Sequence, residues 1–312
     1  MVAPPVFRKA RKVNNYDLYA NHAWFVPGVG GILGLAGWFL VGNVLGSLLM
    51  VISYSFLPQS VVDNYSMLVV YPLSFLPAMV YAARKSQKNS LFETGYKLNS
   101  SHFGPFKAWQ IVVITVVLSY ATMMAFDYVN YLNFALTTST PAMKRFYDTI
   151  VDLLGSMTGG PFWSSFLLVA IFAPIFEEWL CRGMVLRGLL TKMKPVWAIV
   201  ISALFFAVIH MNPWQALNAF IIGVVMGYVY YKTGSLILTM VIHFVNNGTA
   251  VVLSQFPSLG EVDFWIDIIP RNTYITLSVV GILLFCACIM AFRRIPLEQE
   301  RGNVDTVTLN ID

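Results

Sequence analysis

Apolar stretches long enough to cross a bilayer recur along this chain, and they limit its possible folds more than any other feature. A transmembrane helix needs about 20 apolar residues to span about 30 Å of hydrocarbon. We identify eight such segments, of which the fifth is short and the fourth carries charges. Their predicted bounds are Gly30–Phe56, Tyr65–Ala83, Ala108–Tyr128, Phe162–Leu186, Val196–His210, Trp214–Tyr231, Ser235–Leu253 and Thr273–Phe292.

The composition excludes a soluble globular protein. Hydrophobic residues make up 57% of the 312 residues and charged residues only 11%, against a charged share of about 25% in soluble domains. Spanning segments in lipid must satisfy their own backbone hydrogen bonds, which helices do. We therefore predict an all-α fold: a polytopic bundle of about eight transmembrane helices with an intramembrane cavity.

The basic residues indicate how such a bundle is oriented. With eight crossings and a cytoplasmic N-terminus, only Lys144, Arg145 and Arg271 of the 20 Lys and Arg residues fall outside. This asymmetry follows the positive-inside rule. It predicts a multi-pass integral membrane protein with both termini in the cytoplasm, and we expect the plasma membrane of a bacterium. The net charge of +5 is thus a topology signal; membrane lipid is an expected partner and nucleic acid is not.

Two adjacent carboxylates, Glu177 and Glu178, interrupt the fourth segment. An acidic residue at the bilayer centre costs about 2.5–3.5 kcal/mol on insertion scales. A pair of adjacent carboxylates in such a segment therefore indicates a functional role. On a helix Glu178 and Arg182 are i and i+4 neighbours and can form an ion pair. Glu177 points about 100° away and is the candidate general base. A structural ion-pair cluster would explain Glu178 and Arg182 but not Glu177.

His210 ends the fifth segment, one turn after Phe206. A helix starting at Val196 spans only about 22 Å at 1.5 Å per residue. It is expected to end short of the outer surface and to leave His210 within the membrane. Taken alone, both residues would be interpreted as core packing.

His243 and Asn247 lie on the seventh segment at i and i+4, so they share a helix face. Both side chains can donate hydrogen bonds to an oxyanion. The alternative is a polar contact between helices, which is common in membrane proteins. Asn246 points elsewhere on the helix.

The first three segments contain few side chains that could take part in catalysis. Asn43 and Asp127 are isolated, and His22 and His102 lie in polar flanks where surface groups are expected. Farther along, Met143–Leu154 has apolar residues at helical spacing, which suits a helix lying in the membrane interface and equally a surface loop. The chain divides into a cytoplasmic N-terminal segment (1–25), N-terminal transmembrane helices and loops (26–160), a catalytic transmembrane core (161–255), and the last transmembrane helix with a cytoplasmic tail (256–312).

The order E-E-x-x-x-R, F-x-x-x-H and H-x-x-x-N on successive hydrophobic segments resembles the CPBP family of intramembrane proteases. That family includes type II CAAX prenyl endopeptidases and bacteriocin-processing or immunity-associated relatives. The resemblance covers about Phe172–Asn247, roughly a quarter of the chain. It implies that Glu177 and His210 activate the attacking water. The resemblance also implies that His243 and Asn247 form the oxyanion site and that Glu178 and Arg182 support the site.

We therefore predict an intramembrane endopeptidase that cleaves a membrane-associated peptide or protein, lipidated or not, with a water activated by Glu and His. No cofactor is expected. A zinc version stays open, because Glu177, His210 and His243 form a common catalytic zinc set, although H-E-x-x-H is missing. Two other classes remain as alternatives: a non-catalytic bacteriocin-immunity or membrane scaffold protein that binds through the same cavity, and a proton-coupled transporter.

Overall fold

The computed structural model describes Phe25 and residues 27–85, 103–158, 161–190, 192–256 and 264–297. Within these ranges the chain folds into helices joined by turns and loops, which confirms the all-α fold class. The predicted N-terminal segment up to residue 24 and the tail after residue 297 lie outside the described residues. The predictions for His22 and His102 fall outside them as well.

All eight predicted hydrophobic segments coincide with helices. A short 3₁₀ turn, Trp265–Asp267, precedes the last of them. In chain order the helices of the described ranges are α1 (Val29–Ser53), α2 (Gln59–Lys85), α3 (Ala108–Thr137), α4 (Pro141–Thr158), α5 (Phe162–Leu190), α6 (Pro195–Ile209), α7 (Pro213–Thr233), α8 (Leu236–Leu253) and α9 (Arg271–Arg293).

Six of these helices are long and apolar enough to cross a membrane: α1, α2, α3, α5, α8 and α9. Helix α6 is apolar but has only 15 residues, and α7 is not among the six. The bundle is therefore that of an integral membrane protein, while the count of eight crossings stays a prediction.

The outside of the bundle is apolar. In α9 the most hydrophobic stretch has a mean hydropathy of 2.6, yet only 17% of it is buried inside the protein. Helix α1 is similar, with 22% of its stretch buried. In water such surfaces would favour aggregation, whereas lipid tails solvate them. The polar groups instead lie in the interior, where Glu178, Arg182 and His243 are buried.

The helix that carries the carboxylates, α5, lies at the centre of the contacts between helices. It packs against α2, α6 and α8. Helices α6 and α7 form a close pair, as do α3 and α9. Helices α1 and α2 approach closely at Gly42, where an added Cβ would lie 1.8 Å from the backbone oxygen of Ser74. No residue larger than glycine fits this contact without separating the two helices.

The segment Met143–Leu154 is helical and belongs to α4, so the alternative of a surface loop is wrong. The Phe146 and Tyr147 rings pack on Trp214, with centroids 5.4 and 5.2 Å away. Helix α4 thus covers the first turn of α7 at Trp214, which lies four residues after His210. Its position in the membrane interface stays a prediction.

Candidate active site

The two carboxylates lie in a short α-helical stretch, Ala173–Glu178, between two π-helical segments of α5. These segments are Phe166–Phe172 and Trp179–Leu186. A π-helix has i→i+5 hydrogen bonds and is frequent at functional sites. It widens the helix and changes the direction in which the following side chains point. No pattern in the sequence indicates these segments.

Side chains from neighbouring helices bind a backbone carbonyl in each π segment. Asn247 of α8 donates its amide N–H to the Val169 oxygen at 2.9 Å. Ser202 of α6 donates its hydroxyl to the Cys181 oxygen, also at 2.9 Å. Because buried carbonyls need partners, these bonds stabilise the π turns. They also fix the register of the helix that carries the carboxylates.

The predicted ion pair between Glu178 and Arg182 is present and fully buried. Arg182 Nη1 lies 2.6 Å from Glu178 Oε1. Its Nη2 donates to the backbone oxygen of Gly223 at 3.0 Å, and the guanidinium lies 4.5 Å from the centroid of the Phe206 ring. Phe206, which sequence alone would assign to packing, is therefore also the aromatic partner of a buried cation. Arg182 joins α5, α6 and α7 at the level of the site.

The His243 ring lies between the two carboxylates. Its Nδ1 is 3.1 Å from Glu178 Oε1, and its Nε2 is 3.9 Å from Glu177 Oε2. A carboxylate paired with arginine accepts hydrogen bonds, so the Nδ1 atom carries the proton. In the neutral ring Nε2 is then an acceptor that faces Glu177. It becomes a donor only when both ring nitrogens are protonated.

His210 follows the last residue of α6, as the short-helix prediction required. Its Nδ1 lies 2.7 Å from the Phe206 carbonyl oxygen, which fixes the proton on Nδ1 and leaves Nε2 as an acceptor. The Nε2 atom is 3.7 Å from Glu177 Oε2. The chain then turns sharply through Met211, which has a φ of 50°. Asn212 caps α7 by accepting from the Trp214 backbone N–H at 3.1 Å.

Glu177 is the point on which these groups converge. Its side chain is 13% exposed. The Oε1 atom accepts a hydrogen bond from the Tyr71 hydroxyl at 2.5 Å. The Oε2 atom is buried without a hydrogen-bond partner in the protein and faces the Nε2 atoms of His210 and His243. These separations exceed direct hydrogen-bond length, and acceptors that face each other in this way are joined through a shared donor such as a water molecule.

Asn247 is one turn from His243 on α8, as its spacing predicts, but its amide is directed at α5. Besides the bond to Val169, its Oδ1 accepts from the Asn246 amide at 3.1 Å. The structure thus brings Glu177, His210 and His243 together at one place. Asn247 is bound to the backbone of α5 instead, which uses one of its two N–H groups.

Tyr71 is the residue that the sequence did not single out. It lies on α2, in the front part of the chain for which no chemistry was expected, 106 positions before Glu177. Asp127 was also wrongly described as isolated, because its Oδ2 accepts from the Tyr274 hydroxyl at 2.9 Å. Tyrosines are common in membrane helices, and neither contact leaves a local pattern in the sequence.

The donor atoms of Glu177, His210 and His243 face each other, as the ligands of one metal ion would. In the ranges that the structure describes, no group of three His, Cys, Asp or Glu residues has metal-holding geometry. The three cysteines are free: Cys181 and Cys288 are buried, and Cys286 is exposed on the outside of α9.

Comparison with known proteins agrees with this geometry. Residues 159–249 match the family model described as type II CAAX prenyl endopeptidase, Rce1-like. No curated protein and no solved structure matches the chain. The matched segment contains both carboxylates and both site histidines and lies in a bundle of membrane-spanning helices. This match covers less than a third of the chain and supports a CPBP-family intramembrane protease with a core similar to the CAAX endopeptidases.

Proposed function

We propose that this protein hydrolyses a peptide bond of a membrane-associated peptide or protein within the lipid layer, with Glu177 as the general base. The observation that carries the proposal is the convergence of one carboxylate oxygen and two imidazole nitrogens. Glu177 Oε2 lies 3.7 Å from His210 Nε2 and 3.9 Å from His243 Nε2. These acceptors are enclosed by apolar helices, where electrostatic effects are stronger than in water.

In the proposed reaction a water bridges Glu177 Oε2 and His210 Nε2. Glu177 removes one proton as the water oxygen attacks the scissile carbonyl carbon. The carbon–nitrogen bond then breaks, and Glu177 returns the proton to the leaving amine. A positioned base of this kind contributes about 10²–10⁴ to the rate. No nucleophilic serine or cysteine takes part.

The oxyanion of the tetrahedral intermediate needs donors. His243 supplies one from Nε2 when both ring nitrogens are protonated, while its Nδ1 stays bound to the Glu178 carboxylate 3.1 Å away. The second N–H of the Asn247 amide is the other candidate. Removal of one such donor typically lowers kcat about 10²–10³-fold. Glu178 and Arg182 act indirectly, because they hold the His243 ring and the α5 helix in place.

The proposed topology keeps both termini in the cytoplasm of a bacterium. It is supported by where basic residues lie in the structure. Lys85 ends α2, Lys107 precedes α3, Lys194 precedes α6 and Arg293 ends α9. With eight alternating crossings these four residues share one side of the membrane. Lipid is thus the expected partner of the basic ends.

Membrane peptidomics tests the proposed activity. Membranes with the wild-type protein are compared with membranes carrying Glu177→Gln, and Asp148→Asn serves as a matched loss of one carboxylate at an exposed position. We expect a peptide fragment that is present in wild type and Asp148→Asn but absent in Glu177→Gln. An unchanged set of fragments in Glu177→Gln would favour the scaffold or immunity alternative.

Metal dependence needs a separate measurement on the purified protein. We expect cleavage of that peptide to survive chelation, since the chemistry proposed above uses only protein groups. The readouts are metal content by mass spectrometry and activity before and after chelator treatment. Stoichiometric zinc that is lost together with activity would replace the glutamate mechanism with one in which Glu177, His210 and His243 are ligands.

A further inference from the structure

The only hydrogen bond to Glu177 from another side chain within the described ranges comes from outside the family-matched segment. The Tyr71 hydroxyl of α2 donates to Glu177 Oε1 at 2.5 Å, whereas the family match begins at residue 159. Every other group at the site lies within the match. The front part of the chain therefore contacts the proposed base directly.

The Tyr71 ring is held on more than one side. It packs edge-on against Phe75, with ring centroids 5.3 Å apart. Phe75 packs in turn on Phe176, at 5.5 Å, and Phe176 is the chain neighbour of Glu177. The Ser74 hydroxyl donates to the Tyr71 carbonyl oxygen at 2.7 Å. The phenol and the carboxylate are thus fixed to the same aromatic stack.

The bond decides which carboxylate oxygen does the chemistry. The terminal torsion of a glutamate is broad and roughly two-fold, so an unrestrained carboxylate would exchange its two oxygens. With Oε1 bound to Tyr71, Oε2 is the atom that faces His210 and His243. Since Tyr71 binds the oxygen that points away from the histidines, its contribution is to the orientation of the base.

We propose that Tyr71 is a positioning residue, which orients the Glu177 carboxylate for water activation. The inference rests on the proposed function, in which Glu177 is the base. It predicts a lower kcat with an unchanged KM when the hydroxyl is removed, because the group acts in the chemical step. Small misplacements of a reacting group cost up to about 10²-fold in rate. We expect Tyr71→Phe to lower kcat about 10–100-fold.

The chain offers a matched control in Tyr274→Phe. The Tyr274 hydroxyl also donates to a carboxylate, Asp127 Oδ2, at 2.9 Å. This pair joins α3 to α9 and shares no residue with the site. Both variants remove one phenol–carboxylate bond between two helices, so similar shifts in unfolding temperature are expected. Only Tyr71→Phe should lower kcat.

The assay uses a synthetic quenched-fluorescence peptide that spans the cleavage site found by membrane peptidomics, with purified full-length protein. The variants are Tyr71→Phe, Tyr274→Phe, Glu177→Gln and the double variant Tyr71→Phe/Glu177→Gln. If Tyr71 acts through Glu177, the double variant is no slower than Glu177→Gln alone. Thermal unfolding is recorded for every variant.

Each outcome is decisive. The inference is overturned if Tyr71→Phe has a wild-type kcat, or if both tyrosine variants lose kcat equally. In either case an inactive Glu177→Gln leaves the proposed function standing. A raised KM at unchanged kcat also overturns the inference, because Tyr71 would then bind substrate. Full activity in Glu177→Gln, or no cleaved peptide at all, overturns the proposed function and this inference together.

Discussion

The buried ion pair of Glu178 and Arg182 leads to a stability prediction with an internal control. Substitution of Arg182 by Met leaves the Glu178 carboxylate in the fully buried interior without its cation. Breaking one partner of such a pair costs about 3–5 kcal/mol. The loss also removes the Arg182 bond to the Gly223 oxygen and the contact with the Phe206 ring. His243 Nδ1, 3.1 Å away, offsets part of the cost, so we expect about 3 kcal/mol.

A second substitution should restore stability. In the double variant Glu178→Gln/Arg182→Met no charge is left uncompensated, and the side-chain amide oxygen introduced at position 178 can still accept from His243. We expect the double variant to be more stable than Arg182→Met by about 2 kcal/mol, which is within the range of coupling between contacting residues. The free energy of unfolding is measured in mixed detergent micelles for both single variants and the double variant.

The exposed pair Lys144–Asp148 is the control. It has the same i, i+4 spacing and a similar contact distance, 2.5 Å, but its side chains are half exposed, at 51% and 50%. Exposed helix pairs contribute only about 0.3–0.5 kcal/mol. Lys144→Met should therefore be nearly silent. Losses that simply add in Glu178→Gln/Arg182→Met, or a Lys144→Met loss as large as that of Arg182→Met, would refute the role assigned to burial.

Two further substitutions test how the helices are held. Asn247→Ala leaves the partly buried Val169 carbonyl of the first π segment without its side-chain donor. This should cost about 1–3 kcal/mol in unfolding free energy, whereas Asn246→Ala should cost less. Equal losses would contradict the assignment. Gly42→Ala places a Cβ against the Ser74 backbone and should lower the unfolding temperature and the specific activity together. Gly37→Ala, whose added Cβ meets no atom within 4 Å, should change neither. A silent Gly42→Ala would show that α1 and α2 can separate freely.

The helices and part of the site could be predicted because the signals are local. Hydrophobic length alone predicts the eight segments, and i, i+4 spacing predicts the Glu178–Arg182 pair, which the structure confirms. The short fifth segment was predicted to end at His210, and α6 ends one residue before it, at Ile209; the position of His210 within the membrane stays a prediction. Each of these inferences needs only helix geometry, which is the same in every context.

The remaining features depend on contacts between distant parts of the chain. No periodicity predicts that Tyr71 meets Glu177, because this contact depends on how α2 packs against α5. The π segments cannot be predicted from composition either, since the side chains that bind their carbonyls, Asn247 and Ser202, come from other helices. Asn247 illustrates the consequence: its spacing from His243 was predicted correctly, but its main partner is a backbone group of α5.

Three separate parts of the chain thus decide where Glu177 Oε2 lies. Helix α2 binds the other oxygen through Tyr71, while Ser202 and Asn247 hold the two π segments on either side of the base. A shift of one residue in the register of α5 would rotate the carboxylate by about 100° and turn Oε2 away from His210. The matched segment contains the proposed catalytic groups, whereas the hydrogen bond that restrains Glu177 Oε1 comes from α2. A core cut out at residue 159 would therefore contain the motifs without the restraint on the base.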